Sequence, residues 1–410
     1  VIILILICFF LFSLRDSLVN NIGYVYLVSA HSTQSTEAAR KAETIFQYSL
    51  RNHFELKKAK RGLGLAHALQ EDIYEAERVW PESGFLLSDI LVGWGDVANA
   101  NDKYVLALDW YQRAIEVDEN LGRVWFEIGN IQKEKTDYQN ALGCFERAIK
   151  LGYEDAVNPR IEILKKKGNI SESISTLEKS LDQFPSGDSR LKWYYELVSI
   201  LQIEGEWDRA IRVLEEGISE YPDQPWFYIQ LGRSRYYGNH EIKKAVDEIE
   251  KAISIEKYNS LAYETLGDLM MQEGKYQVAY NWYSKAIEHD PENPWHYVKR
   301  ANAIRNSSDL NKALSLYKEV INRFPKFPSG YYQLSWLSHL LEDHDQAIKS
   351  VEKALVLIEE PPFNYYLRAG IIYESAGEYD KAVKAYRQVL KLDVDNTQAI
   401  EGIERLEDKY

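Results

Sequence analysis

Apolar residues along most of the chain recur at intervals of three or four, in paired blocks separated by a turn. In the stretch Ser260–Asn293 the two blocks are Leu261–Gln272 and Tyr276–Glu288, and each has the spacing of an amphipathic helix. Gly274 is a stop signal for the first helix. Pro291 ends the second, because proline lacks the N–H group that a continuing helix needs. The stretch therefore predicts a helix–turn–helix unit of 34 residues.

The sizes of the residues in this unit are typical of two helices that pack closely. Gly267, Ala279 and Ala286 are small where the helices must approach each other, and Tyr263 and Tyr283 are large where space remains to be filled. One such hairpin cannot bury its apolar faces alone, so the pattern requires stacked copies.

The small residue of the second helix marks each copy along the chain. It recurs at Ala42, Ala76, Ala107, Ala141, Ser173, Ala210, Ala245, Ala279, Ala313, Ala347 and Ala382. The spacing is 34 in the most regular copies and between 31 and 37 elsewhere, which predicts about eleven units. Residues 397–410 are predicted to form a helix that covers the open face of the last unit.

The pattern resembles the tetratricopeptide repeat, in which an aromatic-Leu-Gly element, a Gly-x-Tyr turn, alanines in the second helix and an exit proline occupy fixed offsets. The resemblance covers nearly all of the chain beyond residue 23. It implies an all-α fold, a right-handed α-solenoid with a C-terminal capping helix. The predicted segments are 1–22 (a truncated transmembrane helix and juxtamembrane segment), 23–87 (degenerate units), 88–187 (repeat units), 188–396 (a regular array) and 397–410 (the cap).

Some copies depart from the pattern. In the degenerate segment, Gly64 has a role in the repeat and is not part of a phosphate loop, since no strand signal precedes it. The unit near Glu154–Gly187 is the weakest, because Pro159 falls in its first helix and no small residue occupies the close-contact position. A longer gap follows this unit, and we predict a bend or flexible seam near residues 186–190.

Residues 1–14 form an apolar run that no charge interrupts before Arg15. As a helix they would cover roughly 21 Å, short of the ~30 Å hydrocarbon core. We interpret them as the end of a transmembrane helix; a secretory signal cleaved after Ala30 and a buried helix are the alternatives. The flank up to residue 39 has only Arg15 as a basic residue, which favours an extracytoplasmic repeat domain.

Composition narrows the range of partners. The chain of 410 residues has a net charge of −14, which argues against nucleic acid as a ligand. Its two cysteines, Cys8 and Cys144, predict neither a disulfide nor a metal cluster. The sequence contains no catalytic or phosphate-binding motif, and its eight histidines are dispersed. We therefore expect no enzyme active site, no metal and no cofactor in this chain.

By the resemblance, the concave face of the solenoid is lined by positions 2, 5, 9, 12 and 13 of each first helix. The candidate contacts are Trp226, Arg233, Tyr236, Tyr237, Trp295, Asn302, Arg305, Asn306, Tyr332, Trp336, Arg123, Asn130 and Lys133. Aromatic faces beside arginine and asparagine suit peptide side chains or sugar rings. The alternative is that residues such as Trp226 and Trp295 pack against neighbouring repeats.

Some members of this family hold a C-terminal carboxylate between paired lysines and asparagines. Asn130 and Asn302 match that pattern, but Glu264 and Phe126 stand where lysine would be expected. The sequence therefore does not support this mode of binding.

The leading hypothesis is a membrane-tethered, non-enzymatic scaffold that binds proteins or peptides, with glycan or lipid-linked substrate as a further candidate. The layout is similar to the C-terminal part of bacterial O-antigen ligase and polymerase-type membrane proteins. The alternative is a single-span adaptor similar to the lipopolysaccharide assembly regulators, although their four-cysteine metal module has no counterpart here. The sequence leaves the partner and the oligomeric state open.

Overall fold

The computed structural model describes residues 18–31, 33, 35–70, 72–80 and 87–407, and every regular element in these ranges is a helix. The helices are α1 (18–31), α2 (Thr36–Arg51), α3 (Leu56–Leu69), α4 (Ile73–Val79), α5 (Leu87–Ala100), α6 (Tyr104–Val117), α7 (Gly122–Glu134), α8 (Tyr138–Lys150), α9 (Val157–Lys166), α10 (Ile170–Gln183), α11 (Arg190–Ile203), α12 (Trp207–Glu220), α13 (Pro225–Asn239), α14 (Ile242–Ile255), α15 (Ser260–Gln272), α16 (Tyr276–His289), α17 (Pro294–Asn306), α18 (Leu310–Arg323), α19 (Pro328–Leu340), α20 (His344–Val356), α21 (Phe363–Ser375), α22 (Tyr379–Leu392) and α23 (Thr397–Glu407). A short 3₁₀ turn, Glu154–Ala156, precedes α9.

The predicted all-helical solenoid of repeats is confirmed. Each odd-numbered helix up to α21 is followed by its even-numbered partner, and α23 stands alone after the last pair. The eleven small residues that mark the repeats all lie on even-numbered helices and are all fully buried. Their burial explains the pattern, because a larger side chain at any of them would push the packed helices apart.

The close approach within a hairpin depends on a glycine opposite an aromatic ring. A Cβ atom built on Gly267 would lie 2.5 Å from the ring of Tyr283, and one on Gly370 would lie 2.5 Å from that of Tyr386. Gly95 and Gly129 face Tyr111 and Phe145 in the same way, at 2.4 Å and 2.6 Å. No other residue type fits these positions without displacing the ring.

The degenerate first units use the same packing with different residues. Gly62 faces the ring of Phe46, and Gly64 faces the ring of Trp80. A Cβ atom built on these glycines would lie 2.2 Å and 2.6 Å from the respective rings. The packing role that the sequence assigns to Gly64 is therefore present in the structure. Helix α4 has only seven residues and ends at Val79, two residues before Pro81.

In the irregular repeat built from α9 and α10, the first helix has a larger side chain and the second a smaller one at the positions where the two helices pack. Where α5–α6, α7–α8, α15–α16 and α21–α22 pair glycine with an aromatic residue, this unit has Ile161 and Leu177, and both are buried. Pro159 lies in the first turn of α9, where its missing N–H costs nothing. The guanidinium of the buried Arg160 donates to Leu142 O at 2.9 Å and to Thr176 Oγ1 at 3.3 Å.

The chain divides into two compact parts that each contain several repeats. These are the first unit, Val1–Leu197, and the second unit, Val198–Tyr410. In the first, a hydrophobic core joins Phe46, Leu91 and Trp110. In the second, one core surrounds Leu266 and Tyr283, and others surround Tyr317 and Tyr386. Helix α23 closes the last of these, since Ala399 and Leu406 belong to the same core as Tyr386.

The prediction of a transmembrane helix concerns residues 1–14, which lie outside the described residues. Within the described ranges, no helix combines the length and the apolar character that a membrane crossing requires.

Candidate binding surface

The first unit contains an open groove of about 560 Å³ between α7, α9 and α11. Phe126, Pro159 and Leu177 give it an apolar floor, and polar side chains surround them. Two of its lysines are engaged by acids across the helices, Lys133 by Glu162 and Lys165 by Glu196.

Of the three candidate contacts in the first unit, two hold ion pairs. Arg123 donates to both oxygens of Asp96 at 2.9 Å, and Lys133 donates to Glu162. Asn130 lines the groove, half-buried. The charges of this groove are thus largely balanced within the chain.

In the second unit, the candidates on α13 divide between core and surface. Tyr236 is 6% exposed, and its hydroxyl donates to Glu273 Oε1 at 2.8 Å, so the prediction that it is a surface contact is wrong. The reason is that its ring packs in the core around Leu266 and Tyr283, where Glu273 at the end of α15 accepts the hydrogen bond of its hydroxyl. Tyr237 is exposed and stacks on Trp207, with ring centroids 5.8 Å apart.

The other two candidates on α13 lie at its surface. Trp226 is half-buried, and its ring meets that of Phe227 edge-on at 5.4 Å. Arg233 is exposed, and it donates a hydrogen bond of 3.4 Å to Gln230 Oε1.

The next first helix, α15, carries acids that the chain itself satisfies. Lys299 donates to Glu264 at 2.7 Å and to both oxygens of Asp268 at 2.7–2.8 Å, and Nδ1 of the buried His296 lies 2.7 Å from Glu264. Burial alone would raise the pKa of Glu264, but the hydrogen bonds from His296 and Lys299 outweigh it and lower the pKa to about 2. This part of the surface is therefore occupied by internal ion pairs.

Helix α17 presents Trp295 at its start and three polar candidates at its end. Trp295 is 50% exposed and meets Phe327 edge-on at 5.1 Å. Asn302 accepts a hydrogen bond from the hydroxyl of Tyr317, which fixes its amide. Arg305 donates to Gln333 Oε1 at 3.3 Å and to its neighbour Asn306 at 3.4 Å.

The two candidates on α19 lie beside an arginine of α21. The guanidinium carbon of Arg368 stands 3.3 Å from the ring centroid of Tyr332 and 5.1 Å from that of Trp336. Arg368 Nη1 donates to Tyr332 O at 2.6 Å, and Tyr365 stacks on Tyr332 at 4.2 Å. We call Arg305, Tyr332, Trp336, Tyr365 and Arg368 the Arg368 cluster.

The Arg368 cluster carries positive charge without a counter-charge. Among the residues that the structure describes, no carboxylate lies within salt-bridge distance of Arg305 or Arg368; their contacts are to amides, a carbonyl and aromatic faces. Burial lowers the pKa of Arg368 to about 10, and the nearby charge of Arg305 acts in the same direction. Arg368 is therefore still protonated at neutral pH.

Comparison with known families identifies the repeat. Models of the tetratricopeptide repeat match residues 122–151, 191–234, 260–293, 328–360 and 363–396. The chain contains tetratricopeptide repeats. The models match five stretches, and the regular packing of α5–α6 and α17–α18 shows that these two unmatched hairpins follow the same plan.

Individual relatives are distant. A protein CTR9 homolog of Arabidopsis thaliana is 22% identical over 74% of this chain and 29% of its own length. Hsp70-Hsp90 organizing protein 1 of Glycine max is 23% identical over 68% of this chain and 43% of its own length. The chain thus spans less than half of either relative. A crystal structure of a tetratricopeptide repeat protein from Parabacteroides merdae aligns with a TM-score of 0.45 at 15% identity, covering 62% of this chain and 98% of that one.

The sequence prediction missed two members of the cluster, Tyr365 and Arg368. The signal that identifies Arg368 is its place in the repeat, because Lys299, Gln333 and Arg368 stand at the same position of successive first helices. From this position Lys299 reaches back to the acids of α15, and Arg368 reaches back to the aromatic residues of α19. At these two repeats of the chain, the residue at the sixth position therefore determines which groups of the preceding repeat remain open.

Metal ligands and the thiol of Cys144 are the other reactive groups to consider in the described residues. No group of three metal-ligating side chains occurs among the described residues. Burial raises the pKa of Cys144 to about 11, so this thiol stays protonated at neutral pH and is a poor nucleophile.

Proposed function

We propose that this chain is a non-enzymatic scaffold that holds a carboxylate-bearing segment of a partner protein at the Arg368 cluster. The observation that carries the proposal is the pair of guanidiniums, Arg305 and Arg368, which stand beside half-buried aromatic rings with no carboxylate of the described residues within salt-bridge distance. The chain has a net charge of −14, so two arginines without a nearby carboxylate form a positive site on a predominantly acidic protein.

The electrostatics favour an acidic ligand. A partly buried guanidinium has lost part of its hydration, and a carboxylate recovers that loss through charge-assisted, often bidentate hydrogen bonds. Arg368 uses one N–H group on Tyr332 O, so most of its donors remain for a ligand. The acidic character of the rest of the chain disfavours acidic segments elsewhere, which would give this site specificity.

The aromatic members supply contact area. Tyr332 and Trp336 are half-buried and are held in place by Arg368 and by Tyr365. Large aromatic side chains of restricted motion are enriched among the residues that contribute most to protein interfaces. An apolar side chain next to the acid of the partner would pack against these rings.

The known relatives agree with a role in protein interaction. The name of the Glycine max relative describes a protein that organises Hsp70 and Hsp90. The chain spans 43% of that protein, so the partner proteins themselves do not follow from the similarity.

A glycan is the second candidate ligand. Trp295 exposes half of its surface at the start of α17, and Asn306 at the end of the same helix is exposed. An exposed indole suits the apolar face of a sugar ring, and an exposed amide suits the hydroxyls of a further ring along the glycan. This ligand would not require the charges of Arg305 and Arg368.

Selection of displayed random peptides on the full chain, in parallel with a glycan array, tests the proposal. We expect peptides rich in Asp and Glu with a neighbouring apolar residue, and we expect the selection to fail on the double variant Arg305→Gln, Arg368→Gln. Arg212→Gln, which alters an exposed arginine on the second helix α12, is the matched control. Enrichment of neutral peptides, or glycan binding that the double variant retains, would exclude an acidic segment as the ligand.

We also propose that residues 1–14 tether the scaffold to a membrane, with the repeats on the extracytoplasmic side. The support is the uninterrupted apolar run and the scarcity of basic residues after it. On this proposal the chain is either the end of a surface-polysaccharide ligase or polymerase-type protein or a single-span adaptor. Carbonate extraction of membranes from expressing cells tests the tether, and recovery of the full chain in the supernatant would refute it.

A further inference from the structure

Helix α1 has an apolar outer face. Leu18, Ile22, Val25 and Val28 are 60%, 44%, 67% and 68% exposed. Their spacing of three or four places them in one stripe along the helix. The opposite face, with Leu27 and Ala30, is buried against the first unit.

This stripe is not the usual exposed face of a repeat helix. Residues 17–36 contain no Asp, Glu, Lys or Arg, so α1 offers water almost no charge. The following helix, α2, has Glu37, Arg40, Lys41 and Glu43 within its first eight residues. A contiguous exposed apolar face of this kind marks an interaction surface.

A basic cluster lies next to the stripe. The start of α3, Leu56–Arg61, contains four basic residues in six positions. Lys58 Nζ donates to Asn21 Oδ1 at 3.1 Å, and Asn21 is exposed on the same side of α1 as Ile22. Lys57 and Lys60 are exposed. The apolar stripe and these amino groups together are the two elements of a lipid-binding surface, apolar side chains for the acyl region and cations for anionic headgroups.

We infer that the outer face of α1, with the basic start of α3 next to it at Lys58, docks the first unit on the surface of an anionic lipid bilayer. The inference builds on the proposed tether, because Leu18 is only four residues beyond Leu14. If residues 1–14 lie in the bilayer, the chain allows Leu18 to be at most roughly 14 Å from their end.

The length of the stripe favours a helix that lies along the membrane surface. From Leu18 to Val28 it extends about 15 Å along the helix axis. A helix standing upright would carry Val25 and Val28 away from the lipid and leave both in water. Lying flat, α1 would be enclosed between the bilayer and the core of the first unit.

Depth-dependent quenching tests this surface in the full chain. Single-cysteine variants (with Cys8→Ser and Cys144→Ala) carry an environment-sensitive nitrobenzoxadiazole label at Val25→Cys or, as the control, at Val105→Cys. Val105 is 79% exposed on α6 of the same unit. The chains are reconstituted with vesicles of phosphatidylcholine alone or with phosphatidylglycerol. The quenchers are doxyl-labelled lipid and aqueous iodide, and flotation reports whether the chain is bound.

We expect the label at position 25 to be quenched by the lipid and shielded from iodide, and the label at 105 to show the reverse. With phosphatidylglycerol present, Lys57→Gln together with Lys60→Gln should weaken the lipid quenching at position 25. Iodide quenching at 25 equal to that at 105, in a chain that floats, would refute the inference and leave the tether standing. Shielding from both quenchers would refute it in favour of a protein segment or a second copy on α1. A chain that does not float would refute the tether and the docking together.

Discussion

At the residue scale, the fold depends on a few positions where size is constrained by a neighbouring ring. The glycines and alanines of the hairpins could be identified from the sequence because they recur at fixed offsets, and their burial shows why they recur. The exchange of sizes at Ile161 and Leu177 could not be predicted, since two departures that compensate each other look like two defects in a single sequence.

Gly267→Ala should destabilise the α15–α16 hairpin by about 1–3 kcal/mol, because the new Cβ would lie 2.5 Å from the ring of Tyr283. Gly143→Ala is the control: Gly143 is exposed within α8, and no atom of its surroundings lies within 4 Å of a new Cβ. That change should stabilise by up to about 1 kcal/mol, since alanine restricts the unfolded chain. Urea unfolding of both variants measures the difference, and equal midpoints would contradict the packing described for Tyr283.

The ion pairs on α15 make the free energy of unfolding of the second unit depend on pH. The pKa of Glu264 is lowered from 4.5 to about 2 in the folded chain, so its contribution to stability is complete above pH 4.5 and disappears as the pH falls towards 2. Glu264→Gln should lower the free energy of unfolding at pH 7 by about 1–2 kcal/mol. It should also reduce the slope of stability against pH between 2 and 4.5. Parallel acid-unfolding profiles of the variant and wild type would contradict this role.

At the element scale, each hairpin derives its stability from its neighbours, and the positions of the helices follow from the apolar period alone. Which side chains of neighbouring helices contact each other is harder to predict. Tyr236 looked like a surface residue because its offset matched the repeat, but its ring packs in the core and its hydroxyl donates to Glu273 of the next repeat. Arg368 was missed because its importance depends on what the adjacent helix α19 presents to it.

The capping helix offers a test of this dependence on neighbours. Leu406→Ala removes a fully buried side chain from the core shared by α21, α22 and α23 and should cost about 2–5 kcal/mol. Hydrogen exchange should accelerate in α21–α23 and stay unchanged in α5–α8, because a repeat contacts only adjacent repeats. Ile400→Ala, at a site 37% exposed on the same helix, should have a much smaller effect. A uniform acceleration along the chain would show that the array unfolds as one body.

At the scale of the whole molecule, the sequence predicts the array and an irregular joint, whereas the ligand depends on charges that meet only in the folded chain. The predicted seam near residues 186–190 coincides with the link between α10 and α11. Arg190 holds the segment between α10 and α11 in place, because its buried guanidinium donates a hydrogen bond to Phe184 O at 2.9 Å.

A non-specific protease should first cut the folded chain between residues 184 and 189, and Arg190→Gln should increase the rate of that cut by releasing the link. Mass spectrometry of the early fragments gives the site. First cleavage in another loop, unaffected by Arg190→Gln, would contradict the seam.

The central claim is that the Arg368 cluster binds acidic protein segments. Fluorescence anisotropy with fluorescein-labelled octaglutamate and octaglutamine peptides, on the full chain at physiological salt, measures it most directly. We expect octaglutamate to bind more tightly than octaglutamine. We expect Arg305→Gln with Arg368→Gln to weaken it about tenfold or more, equivalent to at least about 1.4 kcal/mol, and Arg212→Gln to have no effect. Equal affinity of the two peptides, or an affinity for octaglutamate that survives the double substitution, would contradict the claim.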